Sequence, residues 1–230
     1  PELGLGMLAM VAGDYRAAGR YAERVRARSE ASGPGHNQAY AWYLRAEAAQ
    51  AQGLLAAAHA AARKALALAH TSGAIWLTAY ARNQLGQVAA ALGRYGEAEG
   101  HFQASYTSRE AFHDAEGMAL ALLGMAEVAA RRGEHERAAR RYRESLACYA
   151  QAGDRGGTAR ARLGLGRTLA ERGDYAAAWR EIQAALMEAR ALDFQHVVLD
   201  ALVQAAGVLV ANGRAAEAIA PLTLALVHPA

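Results

Sequence analysis

Residues 85–106 read LGQVAAALGRYGEAEGHFQASY. Apolar side chains stand three and four apart on both sides of Gly93, the spacing of two amphipathic helices joined by a tight turn. Leu85, Gly86, Val88 and Ala89 belong to the first helix, Gly93-Arg94-Tyr95 to the turn, and Ala98, Phe102, Ser105 and Tyr106 to the second helix. No strand signal interrupts them. At steps of 40 residues the pattern returns, with glycine at 13, 53, 93, 133, 173 and 213 and alanine at 18, 58, 98, 138, 178 and 218. A fixed period of this length marks a stacked array, in which a helix pair repeats because it cannot bury its apolar face alone.

The turn glycine takes positive φ without a Cβ penalty and so closes the first helix in a left-handed cap. The alanine five residues on faces the paired helix, where bulk would push the two apart. A second stop, between units, recurs at Gly33, Gly73, His113, Gly153 and Asp193. A small-residue column (Gly6, Ala46, Gly86, Ala126, Gly166, Ala206) predicts close backbone approach, because a helical glycine costs about 1 kcal/mol against alanine and needs a packing reason. The column Ala22, Ala62, Phe102, Tyr142, Ile182 and Leu222 plugs the groove between units. Its first two members are undersized, so the N-terminal units either pack less tightly or are filled by larger neighbours.

Six units, over about residues 1–33, 34–73, 74–113, 114–153, 154–193 and 194–230, account for all 230 positions as a single array, expected to be a fragment of a longer protein. Apolar residues make up 53% and aromatics 7%, which implies a folded chain with a core of small side chains. A net charge of +3 is a weak argument for nucleic acid. Basic charge does concentrate: residues 121–180 hold twelve Arg against seven acidic groups. Its densest run, Arg131, Arg132, Arg137, Arg140, Arg141 and Arg143, is interrupted by Glu134, Glu136 and Glu144 at spacings that pair along a helix. Tyr142 is the run's one aromatic residue and belongs to the plug column, so no nucleic-acid partner is expected. Cys148 has no second cysteine to bond and fits a reducing compartment. No stretch of eighteen apolar residues and no signal segment opens a route to the membrane. The expectation is a soluble, cytoplasmic monomer.

Signatures of chemistry are missing. No histidine pair has metal-helix spacing, and Cys148 has no thiol with which to share a metal. Gly4-Leu5-Gly6 and Gly164-Leu165-Gly166 look like the start of a dinucleotide loop, but no strand precedes either. Neither a phosphate-binding Gly-x-x-x-x-Gly-Lys nor a Gly-x-Ser-x-Gly elbow occurs. His135 occupies the turn column of Tyr15, Tyr95 and Tyr175, where it reads as a packing substitute. No catalytic residue, metal or cofactor is expected, and the chain is not read as an enzyme.

Leu85-Gly86, Gly93, Tyr95, Ala98 and Phe102, with Leu165-Gly166, Gly173-Asp174-Tyr175, Ala178 and Ala185-Leu186, resemble the tetratricopeptide repeat, whose pattern runs Trp, Leu-Gly, Tyr, Ala, Phe, Ala, Pro. The usual unit is about 34 residues, so each copy here is longer. HEAT repeats share the longer period, but the Gly-x-Tyr-x-x-Ala turn separates the two. The long form resembles the sensor arrays of bacterial signal-transduction ATPases and transcriptional activators. This resemblance implies an all-α, right-handed superhelical solenoid of six antiparallel helix pairs, whose first helices line a concave surface.

On that surface the residues at steps of three and four are Tyr40, Tyr43 and Glu47, then Trp76, Tyr80, Asn83 and Gln87, then Leu120, Leu123 and Glu127, then Arg160 and Arg167. Tyr40, Tyr43, Trp76 and Tyr80 form an expected aromatic patch in adjacent units, suited to anchor a peptide or helix. The competing assignment has these rings filling gaps in an alanine-rich core. Glu116 and Glu127 give way to Arg160 and Arg167, a change of sign that would set a partner's register. The expected function is therefore a protein-interaction or ligand-sensing module that binds a peptide, protein segment or small effector. The alternative is a scaffold that stacks through its ends.

Overall fold

The computed structural model describes residues 2–30, 35–221 and 223. Among them every regular element is helical: α1 (Glu2–Val11), α2 (Tyr15–Glu30), α3 (His36–Ala51), α4 (Leu55–Thr71), α5 (Ile75–Ala91), α6 (Tyr95–Glu110), α7 (Ala115–Arg131), α8 (His135–Ala152), α9 (Arg155–Glu171), α10 (Tyr175–Ala191) and α11 (Gln195–Ala211). A 3₁₀ turn over Ala215–Ala218 opens the element after α11. Leu222 of the plug column and the stop at Gly33 lie outside the described residues.

The turns are built as the glycine ladder predicts. Gly13, Gly53, Gly93, Gly133, Gly173 and Gly213 all take φ between 74° and 83°. In each, the residue after the glycine donates its N–H back into the preceding helix, as Leu54 does to the Ala49 carbonyl at 2.9 Å and Arg94 to that of Ala89 at 2.9 Å. This is the closure that satisfies orphan carbonyls at a helix end. The described stops between units, Gly73, His113, Gly153 and Asp193, share the left-handed geometry, and His113 (φ 54°) and Asp193 (φ 56°) do so without glycine's freedom.

Contacts divide the chain into two compact units, Pro1–Asp114 and Ala115–Ala230. In the first unit α1 pairs with α2, α3 with α4 and α5 with α6, and first helices pack on first helices, α1 on α3 and α3 on α5. A Cβ placed on Gly86 would lie 2.7 Å from the Phe102 ring, so the glycine in α5 makes room for the plug in α6. At Gly6 the corresponding space is taken by Leu44 of the neighbouring pair. At this first unit, where Ala22 is undersized, a larger neighbour thus takes up the space beside the glycine. Ser105, fully buried, donates its hydroxyl to the Ala79 carbonyl at 2.9 Å and pins α6 to α5.

The second unit pairs α7 with α8 and α9 with α10, sets α11 on α10, and packs α9 against both α7 and α11. A large core cluster runs from Ala119 to Val208 through Tyr142, Tyr149 and Ile182, and a smaller one joins Ala206, Leu209 and Ala218. Ser145 repeats the Ser105 tie, donating to the Ala119 carbonyl at 2.8 Å. Gly166 receives Ile182, with a hypothetical Cβ 2.7 Å from its Cγ1, while Gly164 and Gly157 accommodate the rings of Tyr142 and Tyr149. The basic run on α7 and α8 is laced with acids: Arg137 meets Glu134 at 3.0 Å, Arg141 meets Glu144 at 2.8 Å, and Arg172 reaches Glu136 at 2.6 Å. His135 Nδ1 lies 3.2 Å from a Glu171 oxygen.

Candidate functional site

In the first unit α3 and α5 bring four predicted aromatic residues together. Helical spacing puts Tyr40, Tyr43 and Glu47 on one face of α3, and Trp76, Tyr80, Asn83 and Gln87 on one face of α5. Ring centroids lie 5.8 Å apart for Tyr40–Tyr43, 6.1 Å for Tyr40–Trp76, 5.9 Å for Tyr43–Tyr80 and 5.8 Å for Trp76–Tyr80. The last two contacts are edge-to-face, the geometry the ring quadrupole favours. His36 adds a fifth ring, 5.0 Å from Trp76. Tyr40, Tyr43 and Tyr80 rest partly buried on the core of Ala39, Ala69, Ala74 and Leu77, while Trp76 is 48% exposed. The rings therefore have both assigned characters, one edge core and the other surface.

Polar groups border the rings. The Tyr43 hydroxyl donates to Glu47 Oε1 at 2.6 Å. Burial pushes the Glu47 carboxyl above its ordinary value, and the Tyr43 hydrogen bond pulls it back. An amide chain runs alongside: Gln84 Nε2 donates to Gln50 Oε1 at 2.7 Å, and Gln50 Nε2 to Gln87 Oε1 at 3.4 Å. Asn83 is 4% exposed, and its Oδ1 accepts no hydrogen bond. An unmet buried acceptor costs about 1–3 kcal/mol, and burial removes Asn83 from the surface on which its spacing had placed it.

In the second unit α7 and α9 carry the charged residues. Glu127, Arg160 and Arg167 reach solvent, and Leu120 is half-buried. Surrounding protein raises the Glu127 carboxyl although its side chain is accessible, and Arg167, Arg131 and Arg160, in that order, draw it down. Leu123 requires a correction. It is 8% exposed and belongs to the core cluster, because its position on α7 turns it inward beside Ala126.

The tetratricopeptide repeat family model matches residues 77–151 and again 117–186. Residues 77–186 are thus a tetratricopeptide-repeat array. Solved structures match the chain over nearly its whole length. The apo form of the quorum sensor NprR from B. thuringiensis superposes with a TM-score of 0.76 at 15% identity, covering 97% of this chain and 62% of that one. BtubC (BKLC) from P. vanneervenii gives 0.73 at 18% identity, covering 94% of this chain and 92% of that one. A signal transduction ATPase with numerous domains, with a tetratricopeptide repeat sensor, from Pyrococcus horikoshii gives 0.70 at 14% identity, over 98% of this chain and 35% of that one. At these identities the likeness is one of fold. No curated protein matches the sequence.

One residue of the array's aromatic face escapes a reading by groove columns. Arg109, on α6, is 3% exposed, lays its guanidinium 4.1 Å from the Tyr80 ring centroid and pairs with Asp114. It stabilises the ring from behind by a cation–π contact. Its signal was a column of its own: Ala69, Arg109, Tyr149 and Ala189, all buried at steps of 40, with one charge among apolar residues. Among the described residues no group of three or more His, Cys, Asp or Glu could hold a metal ion, and no helix is long and apolar enough to cross a membrane.

Proposed function

We propose that the array is a recognition module that binds a protein segment or peptide against the α3–α5 face, as the sensor part of a signalling or regulatory protein. The observation that carries this reading is the linked cluster of rings on α3 and α5, seated on the core along one side and with Trp76 48% exposed on the other. Rings with a buried side supply a preorganised apolar anchor. Extended binding faces are the common use of stacked-repeat architectures. The fold likeness to a quorum sensor and to a tetratricopeptide repeat sensor supports a sensing role. Arg160 and Arg167, with Glu127, offer a second, charged patch on α7 and α9 that would select a partner with acidic groups.

Peptides selected from a displayed library against the whole chain supply the probe. Tyr43→Ala with Tyr80→Ala should weaken the selected peptides at least about tenfold, the effect of losing a hot spot. Because both rings rest on the core, Trp76→Ala separates the roles: it should lower affinity comparably with little change in melting temperature. Unchanged affinity in Trp76→Ala, with the double variant merely unstable, would assign the rings to the core alone.

A further inference from the structure

The first unit has a second concavity. An open cleft of about 630 Å³ lies among α4, α5 and α6. On α5 it is bordered by Arg82 and Leu85, which at about 100° per residue stand on the opposite side of the helix from Trp76, Tyr80 and Asn83. The floor is apolar, from Leu66 and Leu85, and the rim carries His59, Arg63, Arg82 and His101. Glu97 is the only carboxylate among the lining residues. It is already engaged, 3.5 Å from His59 Nε2, 3.8 Å from His101 Nε2 and 3.8 Å from Arg94 Nη1.

The two cleft arginines have no such partner. Among the described residues neither Arg63 nor Arg82 forms an ion pair, and Arg82 spends one guanidinium N–H on the Ala104 carbonyl at 3.3 Å. A guanidinium presents forked donors that fit the two oxygens of a carboxylate or phosphate. Set over an apolar floor in a cleft of ligand-binding size, such donors match an amphipathic anion. Burial, with the repulsion of Arg82 and His59, holds His101 below its ordinary pKa against the pull of Glu97.

We propose that this cleft binds a small organic oxyanion, its apolar body on Leu66 and Leu85 and its charged end between Arg63 and Arg82. The site is independent of the α3–α5 face. The test titrates the whole chain with phenyl phosphate, and separately with inorganic phosphate, while the histidine ring C–H resonances are followed by NMR. His59 and His101 should shift saturably, and His196, in the second unit, should not. Inorganic phosphate should bind at least tenfold more weakly, for want of the apolar floor. Arg63→Gln, an exposed substitution, should weaken phenyl phosphate at least threefold, and Arg63→Gln with Arg82→Gln at least tenfold. Shifts no larger at His59 and His101 than at His196, equal affinity for the two anions, or wild-type affinity in Arg63→Gln would each overturn the proposal.

Discussion

Two glycines in adjacent helices show how neighbours decide what a residue is worth. Gly86 and Gly100 are both helical, and on propensity alone each would gain about 1 kcal/mol as alanine. A Cβ at Gly86 meets the Phe102 ring at 2.7 Å, whereas one at Gly100 meets nothing within 4 Å. Gly86→Ala should therefore destabilise by about 1–2 kcal/mol, overpacking exceeding propensity. Gly100→Ala should stabilise by up to about 1 kcal/mol, and urea unfolding of both variants reads the difference in sign. Glu47 permits a test by pH. Its folded-state carboxyl titrates above the ordinary 4.5, so the folded chain holds a proton that the unfolded chain has released. Stability from this group is present in acid and lost as pH rises from 4.5 through the raised value. Glu47→Gln should be the more stable protein at pH 7, with the advantage fading as pH falls below 4.5. An advantage that persists into acid would show that the gain has nothing to do with ionisation.

The helix pair is the element through which bulk is transmitted. Ala138, five residues behind Gly133, is fully buried as α8 leaves the turn, and Ala138→Leu should cost about 1–3 kcal/mol by forcing α8 away from its partners. A neutral result in thermal unfolding would mean that the column does not mark a close contact. Much at this scale was legible in the sequence: the period placed both helices, the turn, and the plug at Phe102, Tyr142 and Ile182. Less legible was whatever depends on three-dimensional neighbours outside the repeating column. Leu123 shares the three-and-four spacing of Leu120 and Glu127 yet turns into the core. Gly164 stands outside the small-residue column and is explained only by the Tyr142 ring against it, and Arg109, outside the groove columns, by the Tyr80 ring beside its guanidinium. Spacing fixes the direction in which a side chain leaves its helix, but not what waits there.

Across the whole molecule the repeat is uniform in backbone and uneven in filling. The buried face of α4 is alanine throughout, at 58, 61, 62, 65 and 69, whereas α8 buries Tyr142 and Tyr149 with Ala138, Ala139 and Ser145. Buried aromatic rings remove far more apolar surface from water than methyl groups do, so α4 should open more readily than α8. Native-state hydrogen exchange should find the amides of α4 at least about tenfold faster than those of α8. Equal protection would show that unfolding is too cooperative for local filling to matter. The turns have a further consequence for ancestry. Since each closes with the same left-handed glycine and the same back-donated N–H, a crossover between any two of them rejoins compatible backbone. Recombination can thus add or remove one intact 40-residue copy in frame, while inserting a residue or two within a helix would rotate the later side chains of that helix out of their columns. Copy number is thereby the variable that such a gene can change most readily, with side chains adjusted separately, copy by copy, at the positions the ladder leaves unconstrained.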